Sequence, residues 1–189
     1  MPELPEVETT VRSLNEAVKG LSIKDIWSSY DSAFHAGKNN IKNRKYFDGF
    51  RTKIICAKIK SAERKAKNIL IHLDNNFSIL VHMKMTGHFL YGEYQNSGNL
   101  WIPKDKTLPL NDPMNRFVRV VFSLSNKQHL AFSDMRRFAK VYLFKTDEKE
   151  TLPDLKNIGP DPIDGTLTPK KFIEILHKKY SGKIKLALM

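Results

Sequence analysis

The stretch that decides the fold is 68–83, NILIHLDNNFSILVHM. Two short runs rich in Ile, Leu and Val flank Asp74-Asn75-Asn76. Asp and Asn bond their own backbone and tolerate left-handed dihedrals, so the triplet reads as a hairpin turn between two strands. The same texture extends in both directions. Between residues 21 and 145, IKDIWSSY, TKIICAKIK, HFLYGEY, RFVRVVFSL, HLAFSD and AKVYLF are short, β-branched or aromatic, and often alternating. Ser125-Asn126-Lys127 marks another hairpin turn. Eight short strands at this spacing predict a β-sandwich or barrel.

The two ends differ from this middle. Residues 5–19 carry Val7, Val11, Leu14 and Val18 at helical spacing, one buried stripe. Pro5 sits in the first turn, where a missing N–H costs nothing, and Gly20 follows as a stop. From about residue 146 the chain turns acidic, rich in Pro and Gly, and loses its periodicity, which reads as a linker. Thr168-Pro169 then forms an N-cap and first helical position, with Phe172, Ile175 and Leu176 on an apolar face. Ser181-Gly182 ends that helix, and KIKLALM reads as the opening of the next. The expected class is α+β, mainly β. A helix and β-sandwich fill 1–145, a linker 146–168, and the start of a helical domain 169–189.

The chain has 189 residues, 41% of them hydrophobic and 28% charged, a globular composition with room for a core. No apolar run is long enough to span a membrane, and no basic, then apolar, leader opens the chain. The single cysteine, Cys56, excludes an internal disulfide or a cysteine zinc cluster and fits a reducing compartment. The net charge of +12 suits a polyanion, nucleic acid first. Residues 38–67 hold eleven Lys and Arg against Asp48 and Glu63, and 170–185 hold six lysines against Glu174. Two such stretches are expected to grip two sides of a duplex.

The acidic opening MPELPEVETT stands out in so basic a chain. Removal of Met1 would give Pro2 a free secondary amine, which titrates near ~7.7–8.0 and attacks electrophilic carbon. Attack on an aldehyde-type carbon gives an iminium that acidifies the neighbouring C–H, so elimination follows. Glu3 and Glu6 lie beside that amine and are suited to moving protons. Pro and Glu are also simply good residues for starting a helix, so the rest of the chain must decide.

It does so through motifs. MPELPEVETT resembles the opening of the bacterial formamidopyrimidine-DNA glycosylases, the Fpg or MutM family. SAERKAKNIL resembles the family's basic strand with its catalytic lysine, here Lys67. VHMKMTGHF resembles the hairpin that brings a methionine to DNA, here Met85. FSDMRRFAK resembles the DPRRFG loop, NIGPDPI the LGPEPL linker, and IKLALM the start of the helix–two-turn–helix region.

The resemblance implies a base-excision repair glycosylase and abasic-site lyase for oxidised purines. Its partner would be double-stranded DNA with a damaged purine or abasic site. Pro2 would attack the sugar C1′, Glu3 would act as acid, Glu6 would organise the amine, and Lys67 would bind phosphate and assist elimination. A flipped-out base leaves a hole to fill. Met85, Phe138 and an arginine would fill it, with Arg136 and Arg137 both open for the arginine's place. His82 and Lys185 would add phosphate contacts. Departures are Lys84 in place of a glycine, Phe117 in place of a histidine, and Met135 and Ala139 in place of the loop's proline and glycine, which predicts a looser loop. The rest of the helix–two-turn–helix, the lesion-capping loop and the four-cysteine zinc finger have no counterpart, so no metal cofactor is expected. The implied protein is a monomer of the cytoplasm, associated with the nucleoid and not with a membrane.

Two other readings compete. One is a truncated, non-catalytic DNA-binding fragment of that family, with lesion-independent, salt-sensitive binding. The other is a metal hydrolase using His72, His82 and His88, although their spacing matches no standard metal set.

Overall fold

The computed structural model describes residues 2–161, 163, 165 and 167–179. In chain order these form α1 (Leu4–Ala17), β1 (Ile23–Ser28), α2 (Arg44–Ile54), β2 (Ile59–Lys65), β3 (Asn68–Leu73), β4 (Phe77–His82) and β5 (His88–Gly92). Then come β6 (Tyr94–Ser97), β7 (Leu100–Pro103), β8 (Val118–Leu124), β9 (His129–Ser133), β10 (Lys140–Lys145) and α3 (Pro169–Lys179). Two four-stranded antiparallel sheets run β1-β8-β9-β5 and β10-β4-β3-β2, and β6-β7 is a separate hairpin. The sandwich is as expected. So are both turns, closed by Asn76 and Lys127 at φ 63° and 66°.

The 68–83 hairpin lies inside the second sheet. Ile69, Ile71, Ile79 and Val81 share one core with Val120, Phe122, Leu130 and Phe132 of the first sheet. Leu70 and Leu80, paired across the hairpin, face the other way, into a cluster with Tyr142, Phe144 and Leu155. Both faces are therefore covered, which is why these strands read as continuous apolar runs. Part of the outer cover comes from the aperiodic segment after β10, which docks Leu155 at 3% exposure.

The N-terminal helix α1 buries Val7, Val11, Leu14 and Val18 in the main core. Its Asn15 amide donates to the Ala62 carbonyl and accepts from the Ala62 N–H, both at 2.8 Å. This pairing, like that of an extra strand residue, fixes the helix against β2. Thr168 caps α3 as expected, accepting from the Lys171 N–H at 3.2 Å.

Two expectations fail. TKIICAKIK is not a strand: its first half closes α2, the chain reverses at Cys56 with φ 67°, and β2 begins at Ile59. The helical stripe Phe47, Phe50, Ile54 starts upstream among scattered cations, while the β-branched pair Ile54-Ile55 imitates a strand. The strand count is ten, not eight, among the described residues, because the short, partly polar β6 and β7 give little periodic signal.

Candidate active site

At the head of α1, Glu3 is the N-cap, and its N–H donates to the Glu6 carboxylate at 3.0 Å. That bond satisfies a free backbone donor and holds Glu6 in the first turn, where the helix dipole favours it. Pro2, half-buried, precedes it. The β2–β3 turn consists of Ala66 and Lys67 alone, since Lys65 pairs with Asn68. Ala66 takes a left-handed φ of 50°. This turn brings the Lys67 ammonium into an ion pair with the Glu3 carboxylate. Two motifs distant in sequence thus meet beside Pro2.

Arg64 fixes that meeting. Its guanidinium, only 5% exposed, donates to Glu8 of α1 at 2.8 Å and to Asp161 at 2.6 Å. The bond from Arg64, then that from Arg12, holds the Glu8 carboxyl below its usual range, and Arg64 does the same for Asp161. Sequence reading singled out none of Glu8, Arg64 or Asp161. Arg64 alternates with Lys65 in a basic run, and only its burial sets it apart.

The predicted wedge residues converge from two loops, 83–87 and 134–139. Arg136 donates to the Met85 sulfur at 3.0 Å and lies 4.7 Å from the Phe138 ring centre. Met85 and Phe138 are 43% and 51% exposed, so the two meet Arg136 at the surface. Arg137 is not in this cluster. Its carbonyl accepts from Lys42 Nζ at 2.7 Å, and its charge acts instead on Tyr30 and Arg119.

Beneath the wedge lies Asp134, fully buried. It accepts from the Thr86 hydroxyl at 2.6 Å, the Tyr30 hydroxyl at 2.7 Å and the Ala139 N–H at 2.9 Å. Thr86 in turn accepts from the Arg136 N–H at 3.1 Å. One carboxylate therefore ties both loops together, including the loop that carries Met135 and Ala139. Gly87 has no room for a side chain, since a Cβ would come within 2.5 Å of the Met83 carbonyl and the Phe132 ring. None of Tyr30, Lys42 and Asp134 was foreseen.

His82 ends β4 between Asn68 and Lys140. Burial, then Lys84, lowers its pKa, and its Nδ1 accepts from the Lys84 N–H at 3.1 Å. A neutral ring bonded this way carries its proton on Nε2, which can donate. Lys185 lies outside the described residues. The three-histidine metal reading fails: His72 bonds Ser78, His88 bonds Asn115, and no three metal-ligating side chains converge among the described residues. Nor does the basic run 38–67 form one face. Arg51 pairs with Asp25, Arg64 is buried, and Lys67 turns to Glu3.

The family model "Formamidopyrimidine-DNA glycosylase N-terminal domain" matches residues 1–141. The formamidopyrimidine-DNA glycosylase of Desulforamulus reducens is 30% identical over all of this chain and 60% of its own length. That of Pelotomaculum thermopropionicum is also 30% identical, over 59% of its length. The chain thus spans about 60% of the curated relatives it matches. Among solved structures, Lactococcus lactis Fpg in complex with abasic-site DNA superposes with a TM-score of 0.74 at 24% identity, covering 99% of this chain and 60% of that one. A MutM complex with carbocyclic 8-oxo-G DNA gives 0.71 at 25% identity, covering 99% of this chain and 61% of that one. On the family-model match over 1–141, the chain belongs to the formamidopyrimidine-DNA glycosylase family.

Proposed function

We propose that the chain is the catalytic part of a DNA glycosylase and abasic-site lyase that removes oxidised purines from duplex DNA. The observation that carries this is the meeting of Glu3 and Lys67 beside Pro2 at the head of α1. Hydrolysis of the Met1–Pro2 bond frees the amine. Its nitrogen bonds to C1′, and the bond from C1′ to the base breaks, with the base leaving on its electron pair and gaining a proton. The amine nitrogen gives up its own proton as C1′–O4′ opens, Glu3 protonates O4′, and an iminium results. The iminium acidifies C2′–H; loss of that proton expels the 3′ phosphate, a second elimination expels the 5′ phosphate, and water then releases the amine.

Glu6, held by the Glu3 N–H, orders the amine end, and Lys67 meets the phosphate flanking the lesion. His82 offers that strand a neutral N–H donor. Met85, Arg136 and Phe138 fill the space of the extruded base, and the geometry favours Arg136 over Arg137 for the orphaned partner. The reading needs no metal, and the chain's one cysteine supplies no zinc finger. It describes a monomer acting in the cytoplasm, on the nucleoid. Among the described residues no helix is long and apolar enough to cross a membrane.

Borohydride trapping tests the chemistry. The Pro2-terminal chain is mixed with duplex DNA carrying an abasic site, or 8-oxoguanine opposite cytosine, and reduced. A covalent band is expected, with the adduct mapped to Pro2 and absent from chain that retains Met1. A folded Pro2-terminal chain that gives no band with either duplex overturns the catalytic reading and leaves that of a DNA-binding fragment.

A further inference from the structure

A pocket of about 410 Å³ opens beside the wedge, with Phe138 as one wall. His35, Lys38, Lys42, Lys84 and Lys140 line it, and no carboxylate does. Two of these lysines are already engaged, Lys42 by the Arg137 carbonyl and Lys140 by Asp154. Lys38 lies 3.7 Å from the Phe34 ring centre, and neither Lys38 nor Lys84 pairs with an acid among the described residues. The cations act on each other: Lys42 and Lys38 add to the burial that lowers the His35 pKa, and burial, then Lys84, lowers that of Lys42 against the pull of Asp134. Four lysines in a concave site whose nearby acids, Asp134 and Asp154, stand outside its lining favour an anion.

Lys84 adds a backbone observation. It sits at φ 57°, a left-handed conformation that costs a side-chain-bearing residue free energy that glycine would not lose. A cation held there against that cost marks a place where the charge matters. The location selects the anion. Each DNA strand carries one phosphate per ~3.4 Å of helix axis, so a ring inserted between bases has backbone phosphates close beside it.

We propose that this pocket binds a backbone phosphate of the DNA next to the wedge, held by Lys38 and Lys84. The site rests on the reading above in which Phe138 enters the duplex. Its ligand is a phosphodiester of either strand, and the test separates the two.

Binding of the Pro2-terminal chain to a duplex with a stable abasic-site analogue is followed by anisotropy across a salt series. The double variant Lys38→Met, Lys84→Met should flatten the slope of log K against log salt by about 0.9, one phosphate's worth. A methylphosphonate is then walked along each strand. One linkage near the lesion should weaken wild-type binding roughly three- to tenfold and leave the double variant unaffected. The strand carrying that linkage identifies the backbone. Lys84→Gly should bind more weakly yet melt no lower than wild type, separating lost charge from lost fold. An unchanged slope, or no linkage that distinguishes variant from wild type, overturns the site. Trapping is scored in parallel: trapping without a slope change sinks the pocket alone, and a slope change without trapping sinks the chemistry alone.

Discussion

In the proposed reading the amine end and the wedge serve the same extruded nucleotide, and they are built in opposite ways. At the amine end, Glu3 and Lys67 meet with their side chains 54% and 35% exposed. Ion pairs in that environment contribute little, about 0–1 kcal/mol. At the wedge, the exposed Met85, Arg136 and Phe138 stand on Asp134, Tyr30 and Lys42, all under 9% exposed. Buried polar groups are costly unless fully bonded, and once bonded they fix a single geometry. The difference fits the two tasks. Groups that exchange protons and partners during a reaction must be free to let go of one another. A wedge that pushes into a base stack must not yield.

The largest effect should come from removing the wedge's mount. Asp134→Ala leaves the Tyr30 hydroxyl, the Thr86 hydroxyl and the Ala139 N–H without their acceptor. Urea unfolding should show a loss of about 3 kcal/mol or more. A loss under 1 kcal/mol would erase the contrast between the two regions. Next is the buried brace behind the amine end. Arg64→Met leaves Glu8 and Asp161 facing each other and should cost about 2 kcal/mol.

The same brace predicts an acid limb. Arg64 depresses the Glu8 and Asp161 carboxyls, and His72, then Lys149, depress Glu63 to about 2. Lowered folded-state values mean that this stability is fully present above the usual carboxylate range and drains away as pH falls through the folded values. Wild type should therefore lose stability below about pH 4.5 toward pH 2, and Arg64→Met should flatten part of that fall. A smaller effect, of opposite sign, belongs to the turn that carries Lys67. Ala66→Gly relieves the left-handed backbone and should stabilise by up to about 1 kcal/mol. Smallest is Lys67→Met, which should shift the unfolding midpoint by less than about 0.5 kcal/mol while sharply lowering trapping yield. A large stability loss from Lys67→Met would make the Glu3–Lys67 pair structural and blur the comparison.

Much of the site could be read from the chain because its parts are local. Pro2, Glu3 and Glu6 share one helix start, and Met85 and Phe138 stand at turns within motifs that resemble the family's, where an apolar residue suits a wedge. The choice between Arg136 and Arg137 could not be read. Neighbours on a loop differ only in where their side chains go, and only the fold sets Arg136, not Arg137, against Met85 and Phe138. Helix α2 was missed because its stripe, Phe47 to Ile54, is short and ends in β-branched residues that suit a strand equally well. The basic run shows a related limit: charge can be counted in a sequence, but its pairing cannot.

By itself, then, the sequence determined the sandwich, the N-terminal helix and the hairpin turns. Each follows from spacing or dihedral preference within a few residues. The tertiary structure alone decided that Lys67 reaches Glu3, that Asp134 binds both wedge loops, and that Lys38 and Lys84 pair with no acid among the described residues while the Arg64 side chain is buried. These are contacts between residues tens of positions apart. They depend on which strands pair and which charges lose their water, and local propensity carries no information about either.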